Sequence, residues 1–424
     1  MTAKQLKEAL LAGALEKYKN LYSDTKAQSA RIAAAIDSFT ARFGDEREIS
    51  VLSVPGRSEV SGNHTDHNYG AVLAGAIDKD IIAVVAKNDD GVIRFLSEGY
   101  DEDLVELSKT DSADNFRKYS SASLIAGMAR GFSDRGYSVG GYDAYATSEV
   151  LKGSGISSSA AYEVMIGNIF NHLFNEGKVE NREIAALAQF AENAYFGKPC
   201  GLMDQMACAV GGFVFIDFAD PKAPVVEPIA FSRTDAGYSL CIVNTGGNHA
   251  DLNEDYASVP SEMKAVAKCF GKEVLRGISE DEIVAKIPEL REAVNDRAIL
   301  RALHFVREND RVMKIKSALL SSDIKAFLDG IYRSGSSSFR YLQNVYTTKN
   351  PEEQGLSLAL AVSEGFLENK DSAARVHGGG FAGTIQAFVK REYAEGYVAL
   401  MDLIFGEGSA MRLSIRPEGA VKLF

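Results

Sequence analysis

One stretch constrains this chain more than any other, and it reads Gly153-Ser154-Gly155-Ile156-Ser157-Ser158-Ser159-Ala160-Ala161. Glycine lets the backbone approach an anion closely, and the amides at the start of a helix point towards that anion with the helix dipole behind them. The stretch therefore predicts a phosphate-binding loop ahead of an apolar helix, although glycine and serine more often form an ordinary turn. It is not a Walker loop, because no Gly-x-x-x-x-Gly-Lys-Ser/Thr occurs in the sequence.

Composition limits the classes of protein to be considered. The 424 residues, 46% of them hydrophobic, suffice for at least two domains with cores of their own. A net charge of -12 provides no basic surface for nucleic acid or an anionic membrane. The four cysteines have no Cys-x-x-Cys spacing, which favours buried free thiols over a zinc site or disulfides. The pattern from Met1 to Tyr22 lacks the apolar core of a signal peptide, so we expect a cytoplasmic protein.

Predicted strands and helices are mixed along the chain without strict βαβ repetition, which indicates an α+β protein. A strand over residues 48–54 is predicted to end at Pro55-Gly56. Two strands, residues 81–86 and 92–96, flank a turn that is typical of a hairpin. A helix begins at Ser158, where apolar residues follow at a spacing of four. We expect a domain boundary near residue 218.

Polar residues crowd the stretch from Pro55 to Gly70, which holds an arginine, two histidines, an aspartate and two asparagines between glycines. Directional hydrogen-bonding groups of this kind suit a polyhydroxylated ligand, since each sugar hydroxyl needs donors and acceptors. The alternative is a solvated loop.

Two further stretches are candidate functional segments. In residues 199–205, Asp204 has apolar neighbours, which is typical of a paired or functional carboxylate, or of a helix N-cap. Residues 374–384 hold a second glycine cluster ahead of a strand, and a tight structural turn would explain that cluster equally well.

Taken in order, these stretches closely resemble the galactokinase branch of the GHMP small-molecule kinases, over most of the chain. The matching segments are the galactokinase signature (55–70), the phosphate loop (153–161), the family's Cys-Gly-Ile-Met-Asp-Gln motif, which reads Cys-Gly-Leu-Met-Asp-Gln here (200–205), and the C-terminal glycine motif (375–383). The resemblance implies a two-domain GHMP kinase fold with the active site in the cleft between the halves. The N-terminal half, residues 1–218, is expected to resemble ribosomal protein S5 domain 2, and the C-terminal half, residues 219–424, to be ferredoxin-like.

The resemblance also implies roles for individual residues. Asp204 takes the position of the catalytic aspartate, which accepts or orients the proton of the anomeric hydroxyl. Arg57 takes the position of the arginine that keeps this carboxylate ionised and steadies charge on the transferring phosphoryl group. ATP is the expected second substrate, bound by the loop residues Gly153, Ser154, Gly155, Ile156, Ser157, Ser158 and Ser159.

The remaining implied contacts concern the sugar and a magnesium ion. His64, Asp66, Gly201 and Tyr256 match sugar-contacting positions, and Asn63 stands where the family has a glutamate. Ser159 and Glu192 match the pair that holds Mg²⁺ in related kinases, which suits hard oxygen ligands. The sequence does not determine an oligomeric state, and a monomer is consistent with it.

Asn63 is the departure that bears on the substrate. In the family the glutamate at this position contacts the C6 hydroxyl of galactose, and an uncharged amide would tolerate a C6 carboxylate that glutamate repels. The resemblance implies a galactose 1-kinase, and Asn63 makes galacturonate or a similar C6-altered sugar the rival substrate. A non-catalytic sugar sensor is the remaining alternative, and the intact stretch Ser157 to Ala161 favours the enzyme.

Overall fold

The computed structural model describes residues 1–150, 155–198, 200–229, 237–247 and 252–424. Its helices are α1 (Ala3–Leu11), α2 (Thr25–Phe43), α3 (Ser121–Asp134), α4 (Ser158–Phe174), α5 (Asn181–Phe190), α6 (Met203–Val210), α7 (Asn253–Cys269), α8 (Glu280–Ala285), α9 (Ile287–Ala293), α10 (Asp296–Leu320), α11 (Ile324–Ser337), α12 (Gly355–Leu367) and α13 (Arg391–Phe405). Short 3₁₀ turns cover Ala14–Tyr18, Asp66–Asn68, Leu107–Lys109 and Ala113–Asn115, and π-helical turns cover Ala191–Phe196 and Ser338–Leu342.

The strands are β1 (Ser50–Ser61), β2 (Ala71–Lys87), β3 (Val92–Ser97), β4 (Asp103–Glu106), β5 (Tyr142–Ser148), β6 (Phe213–Asp217), β7 (Val225–Ile229), β8 (Tyr238–Asn244), β9 (Ala373–Val376), β10 (Thr384–Lys390), β11 (Ala410–Leu413) and β12 (Val421–Lys422). An eight-stranded sheet has the order β12-β1-β2-β5-β3-β4, and β6 and β7 continue from β2. A second, four-stranded sheet has the order β11-β8-β10-β9.

Helices cover both faces of the first sheet, as the apolar character of its central strands requires. Side chains alternate along β1, so Val51 belongs to the core on the side of α1 and α2, while Leu52 and Val54 belong to the core on the side of α4 and α6. The second sheet alternates in the same way. Its outer face packs on α12 and α13, and its inner face, with Leu240 and Phe388, joins the core of the first sheet. The two sheets therefore share one hydrophobic core.

The structure corrects two details of the sequence prediction. The strands around residues 88–91 do not pair as a hairpin, because β5 lies between β2 and β3. The first strand also continues past Pro55-Gly56 to Ser61, with shifts in its pairing with β2 after Pro55 and after Glu59. The α+β class and the helix beginning at Ser158 are confirmed.

The predicted domain boundary near residue 218 stays a prediction. β7 and β12 lie after it in the chain but belong to the first sheet. In the described ranges, every helix is too short or too polar to cross a membrane.

Candidate active site

An ion pair between a strand and a helix start forms the centre of the site. Arg57 of β1 donates two hydrogen bonds, from Nε and Nη2, to the two carboxylate oxygens of Asp204, each at 2.7 Å. Asp204 lies in the first turn of α6, whose N-cap is Leu202, so the carboxylate is engaged by the arginine and does not cap the helix. A two-pronged contact of this kind fixes both side chains in orientation as well as in distance.

The pair is charged at neutral pH. Burial raises the pKa of the Asp204 carboxyl, but the charge and hydrogen bonds of Arg57 outweigh this effect and hold that pKa below its usual range. Burial likewise opposes the charge on Arg57, and Asp204 more than compensates, so the pKa of the guanidinium is raised. The site therefore holds an ionised carboxylate, and about a third of the Asp204 side-chain surface is exposed.

The phosphate loop of residues 153–159 reaches this ion pair. Gly153 and Ser154 lie outside the described residues, whereas Gly155 and Ser157 both adopt positive φ, at 74° and 61°. The Gly155 carbonyl accepts a hydrogen bond of 2.8 Å from Nη1 of Arg57. Ser157 donates its hydroxyl to Asp204 and does not cap α4, although it occupies the N-cap position.

The remaining loop residues complete the start of α4. Ile156 is buried, and its carbonyl accepts the Arg57 amide at 3.1 Å. Ser158 and Ser159 form the first turn of α4 and are half-buried. The first amides of α4 have no side-chain cap, as a helix start that meets an anion requires.

The segment from Gly62 to Gly70, the sugar loop, carries three of the predicted sugar contacts, at Asn63, His64 and Asp66. A Cβ placed on Gly201 would lie 3.3 Å from an Asp66 carboxylate oxygen, so these two residues are neighbours. The His64 ring nitrogen Nε2 lies 2.9 Å from the Gly379 carbonyl, and burial lowers the pKa of His64 to about 4. Every residue of this loop except His67 is buried or half-buried, which argues against the alternative of a solvated loop.

Residues 377–383, the glycine loop, face the sugar loop. The Tyr256 hydroxyl donates to the Gly380 carbonyl at 2.9 Å, and the Tyr256 ring packs against Gly379. The Gly379 carbonyl is also the partner of His64. His64 and Tyr256 are therefore brought together by one turn of backbone.

Asn63 lies in the sugar loop but is fully buried, with 0% of its surface exposed. Its amide nitrogen donates to Glu59 Oε1 and to the Gly378 carbonyl, at 3.1 and 2.6 Å. Its amide oxygen accepts hydrogen bonds from Asn344 and Ser338, at 2.7 and 3.3 Å. The expected contact between Asn63 and the sugar stays a prediction, and this geometry does not favour it.

The residues expected to hold Mg²⁺ lie on two elements that both bond Gln205 of α6. Glu192 is buried in the π-helical turn after α5, where the Gln205 amide donates to its Oε2 at 2.8 Å and Lys198 Nζ lies 3.3 Å from its Oε1. The same Gln205 amide donates to Glu163, at 3.1 Å, one helical turn after Ser159 on α4. Gln205 thus links Glu192 to the helix that carries Ser159.

The cluster of Glu163, Glu192, Lys198 and Gln205 has more hydrogen-bond acceptors than its donors satisfy. Glu163 Oε1 and Gln205 Oε1 are buried without a hydrogen-bond partner. Burial, with the charge of Glu192 as a second cause, raises the pKa of Glu163 well above its usual range. Unpaired oxygens beside a phosphate loop fit a hard cation and the water it carries.

Sequence reasoning missed several residues that support the site. Glu163 was detectable as a lone acidic residue in an otherwise apolar helix, whereas Lys198 carries no such signal. His377 was missed as well; its ring lies between the Ser58 and Thr384 hydroxyls, at 3.2 and 2.9 Å. Burial lowers the pKa of His377 to about 3, so this ring is neutral.

Comparison with known proteins places this geometry in a family. Residues 37–87 match the galactokinase galactose-binding signature, and residues 120–212 match the GHMP kinases N terminal domain. Among solved structures, Lactococcus lactis galactokinase complexed with galactose superposes with a TM-score of 0.77 over 92% of this chain and 99% of its own, at 22% identity. A mevalonate kinase superposes with a TM-score of 0.60 over 87% of this chain and 99% of its own, at 14% identity. These likenesses establish the fold.

Other relatives are more similar to this chain in sequence than these solved structures are. A galactokinase of Streptomyces coelicolor is 31% identical over 357 residues, which cover 84% of this chain and 88% of the relative. A galactokinase of Actinobacillus pleuropneumoniae serotype 3 is 31% identical over 363 residues, covering 85% and 90%. The chain belongs to the galactokinase family of the GHMP kinases.

Proposed function

We propose that this protein transfers the γ-phosphoryl group of ATP to the C1 hydroxyl of galactose. One observation carries the proposal: the Arg57–Asp204 ion pair bonds the phosphate loop at Gly155, and Gly201, three residues before Asp204, adjoins Asp66 of the sugar loop. Phosphoryl transfer needs the acceptor oxygen and the γ-phosphate held in line, with charge offset around them, and little covalent help. A carboxylate beside a guanidinium, next to an uncapped helix start, meets these needs.

In this proposal Asp204 accepts the proton of the C1 hydroxyl. Its lowered pKa keeps it ionised at neutral pH, so it is ready to accept. Arg57 maintains that charge and holds the phosphate loop through the Gly155 carbonyl. Ser157, which donates to Asp204, keeps the carboxylate in place beside the loop.

ATP is bound in this proposal by the phosphate loop, residues 153–159, with the first amides of α4 directed at the phosphates. Ser159 and Glu192 would hold Mg²⁺, and the unpaired oxygens of Glu163 and Gln205 support a cation there. Such an ion would supply positive charge that offsets the negative charge of the phosphates. Lys198, which lies against Glu192, adds a second positive charge.

We further propose that His64, Asp66, Gly201 and Tyr256 line the sugar position. Asp66 adjoins Gly201, which lies two residues before the start of α6, so an acceptor for sugar hydroxyls lies close to Asp204. His64 and Tyr256 both hold backbone carbonyls of the glycine loop. The cytoplasmic location and the monomeric state stay predictions of the sequence.

A coupled assay of ADP release tests the proposal with galactose, galacturonate, 6-deoxygalactose and glucose as acceptors. We expect turnover with galactose that requires added Mg²⁺, and a C1-phosphate product by NMR. A higher kcat/KM for galacturonate would identify the rival substrate. Absence of turnover with every sugar, together with tight galactose binding by calorimetry, would identify a sugar sensor.

A further inference from the structure

We propose that Asn63 is a positioning residue, which fastens the sugar loop to the glycine loop and makes no contact with the substrate. The inference rests on the proposed function for its activity test, and a stability test keeps it independent.

A primary amide offers two N–H donors and two acceptor lone pairs. The two N–H groups of Asn63 have two partners, the Glu59 carboxylate and the Gly378 carbonyl. The two lone pairs of its oxygen also have two donors, Asn344 Nδ2 and Ser338 Oγ. No hydrogen-bonding capacity is left for a sugar hydroxyl, and the side chain has no exposed surface.

The backbone of Asn63 is held as well. Its carbonyl lies 3.0 Å from Nε2 of His304, whose Nδ1 lies 2.9 Å from the Ser337 hydroxyl. Burial lowers the pKa of His304, so the neutral ring donates through Nε2 and accepts through Nδ1. Asn63 is thereby tied to α10 and, through Ser337, to α11.

These bonds set the position of the proposed sugar contacts. Asn344, held by Asn63, also donates to the Gly379 carbonyl at 3.1 Å, and its own carbonyl accepts the Phe381 amide at 2.5 Å. Gly379 is the partner of His64 and the packing surface of Tyr256. Loss of Asn63 would therefore displace His64 and Tyr256 together.

The first experiment compares galactose with 6-deoxygalactose in an Asn63→Ala variant. If Asn63 only positions the loops, KM rises for both sugars by the same factor, on the order of tenfold, because both depend on the same loops. If Asn63 binds the C6 hydroxyl, the penalty is confined to galactose, which would overturn the proposal. An unchanged KM for both sugars, with an unchanged Tm, would overturn it too.

The second experiment is a double-mutant cycle on thermal unfolding with Asn63→Ala and Asn344→Ala. We expect the double variant to lose less Tm than the sum of the single variants, because each single change already removes their shared hydrogen bond. Asn171→Ala is the matched control, since Asn171 is also buried and its side-chain amide exchanges two hydrogen bonds of 2.9 Å with the Val179 backbone, far from Asn63 in the sequence. Its effect should add to that of Asn344→Ala.

If the Tm losses of Asn63→Ala and Asn344→Ala are additive, the proposal is overturned. This result can be obtained even if no sugar is turned over, so a failure of the positioning role can be distinguished from a failure of the proposed function. If Asn63→Ala does not fold, Asn344→Ala carries the activity test, because it keeps Asn63 and removes one of its four partners. An equal rise of KM for both sugars supports positioning by Asn63. A rise for galactose alone overturns it.

Discussion

Asp204 depends on its partner for its charge. Taken alone, a carboxyl with this degree of burial would have a raised pKa, and the arginine reverses the sign of that shift. Arg57 can do so reliably because a guanidinium does not lose its proton in proteins. The same arginine also holds the Gly155 carbonyl, so the charge of the proposed base and the place of the phosphate loop depend on one side chain.

We predict that Asp204→Asn lowers kcat by about 10²- to 10⁴-fold while the Kd for ATP changes little. The amide keeps the shape of the carboxylate but cannot accept the sugar proton, and every residue of the phosphate loop is retained. Steady-state kinetics and calorimetric titration with ATP measure the two effects. Asp329→Asn, at an exposed residue of α11, is the control and should leave both unchanged. Turnover of Asp204→Asn close to that of the control would contradict the role assigned to Asp204.

We predict that stability falls as the pH drops below about 6.5, the usual pKa of an unfolded histidine. Burial lowers the pKa of His64 to about 4 and that of His377 to about 3. Between those values and about pH 6.5, both histidines are therefore protonated in the unfolded chain and neutral in the folded chain. The stabilisation is complete above about pH 6.5 and is lost progressively towards pH 3. Urea unfolding at pH 7.5, 6.0 and 5.0 measures this.

His377→Gln should reduce that pH dependence, because it removes one of the groups that titrate. The control is His67→Gln, at a ring that is half exposed. An identical slope for the His377 variant and the unmodified protein would show that His377 contributes nothing to acid sensitivity.

Some of the site was predictable at the level of single residues. Arg57 and Asp204 were predicted from motifs, and the structure brings them into contact. Gln205 was part of a quoted motif, but its place between two carboxylates depends on how α4, α5 and α6 pack, which no local pattern encodes. The occupied amide of Asn63 likewise depends on partners about 280 and 315 residues away in sequence.

At the scale of elements, β1 differs most informatively from its prediction. Pro55 and Gly56 normally end a strand, yet β1 continues to Ser61 because its pairing with β2 shifts register after Pro55. The strand can then present Arg57 to the phosphate loop. The missing hairpin has a similar cause: the turn at residues 88–91 exists, but β5 arrives from later in the chain and pairs between the flanking strands.

We predict that Gly56→Ala lowers kcat/KM for ATP by up to about 100-fold, with the fold retained. A Cβ at Gly56 would lie 2.7 Å from the Ile156 carbonyl, so the phosphate loop must move away from Arg57. Steady-state kinetics with varied ATP measure the effect, and circular dichroism checks the fold.

Gly365→Ala is the matched control for that substitution. Gly365 lies inside α12, and a Cβ there would meet no atom within 4 Å. Alanine should stabilise that helix by about 0.5–1 kcal/mol and leave activity unchanged. Equal activity of the two variants would mean that the approach of β1 to the loop is not required.

At the scale of the whole molecule, the two sheets are joined by polar groups as well as by their shared core. Arg375 of β9 is fully buried and donates to the Glu59 carboxylate at 3.0 Å and to the Val60 carbonyl at 2.9 Å, both on β1. Burial raises the pKa of Glu59, and the charges of Arg375 and Arg57 offset this only in part. The glycine loop follows β9 directly, so this ion pair also fixes the start of that loop against the first sheet.

We predict that Arg375→Met lowers the free energy of unfolding by about 3–5 kcal/mol at pH 7.5, because it leaves the Glu59 carboxylate buried without its cation. Urea unfolding measures the loss, and Arg333→Met is the control, since Arg333 forms an exposed pair with Asp329 on α11 and should leave stability nearly unchanged. The cost of Arg375→Met should shrink towards pH 5, because the raised pKa of Glu59 lets a proton replace the missing charge as the pH falls. Equal losses for the two arginine variants, or a cost that does not depend on pH, would mean that this ion pair does not hold the two sheets together.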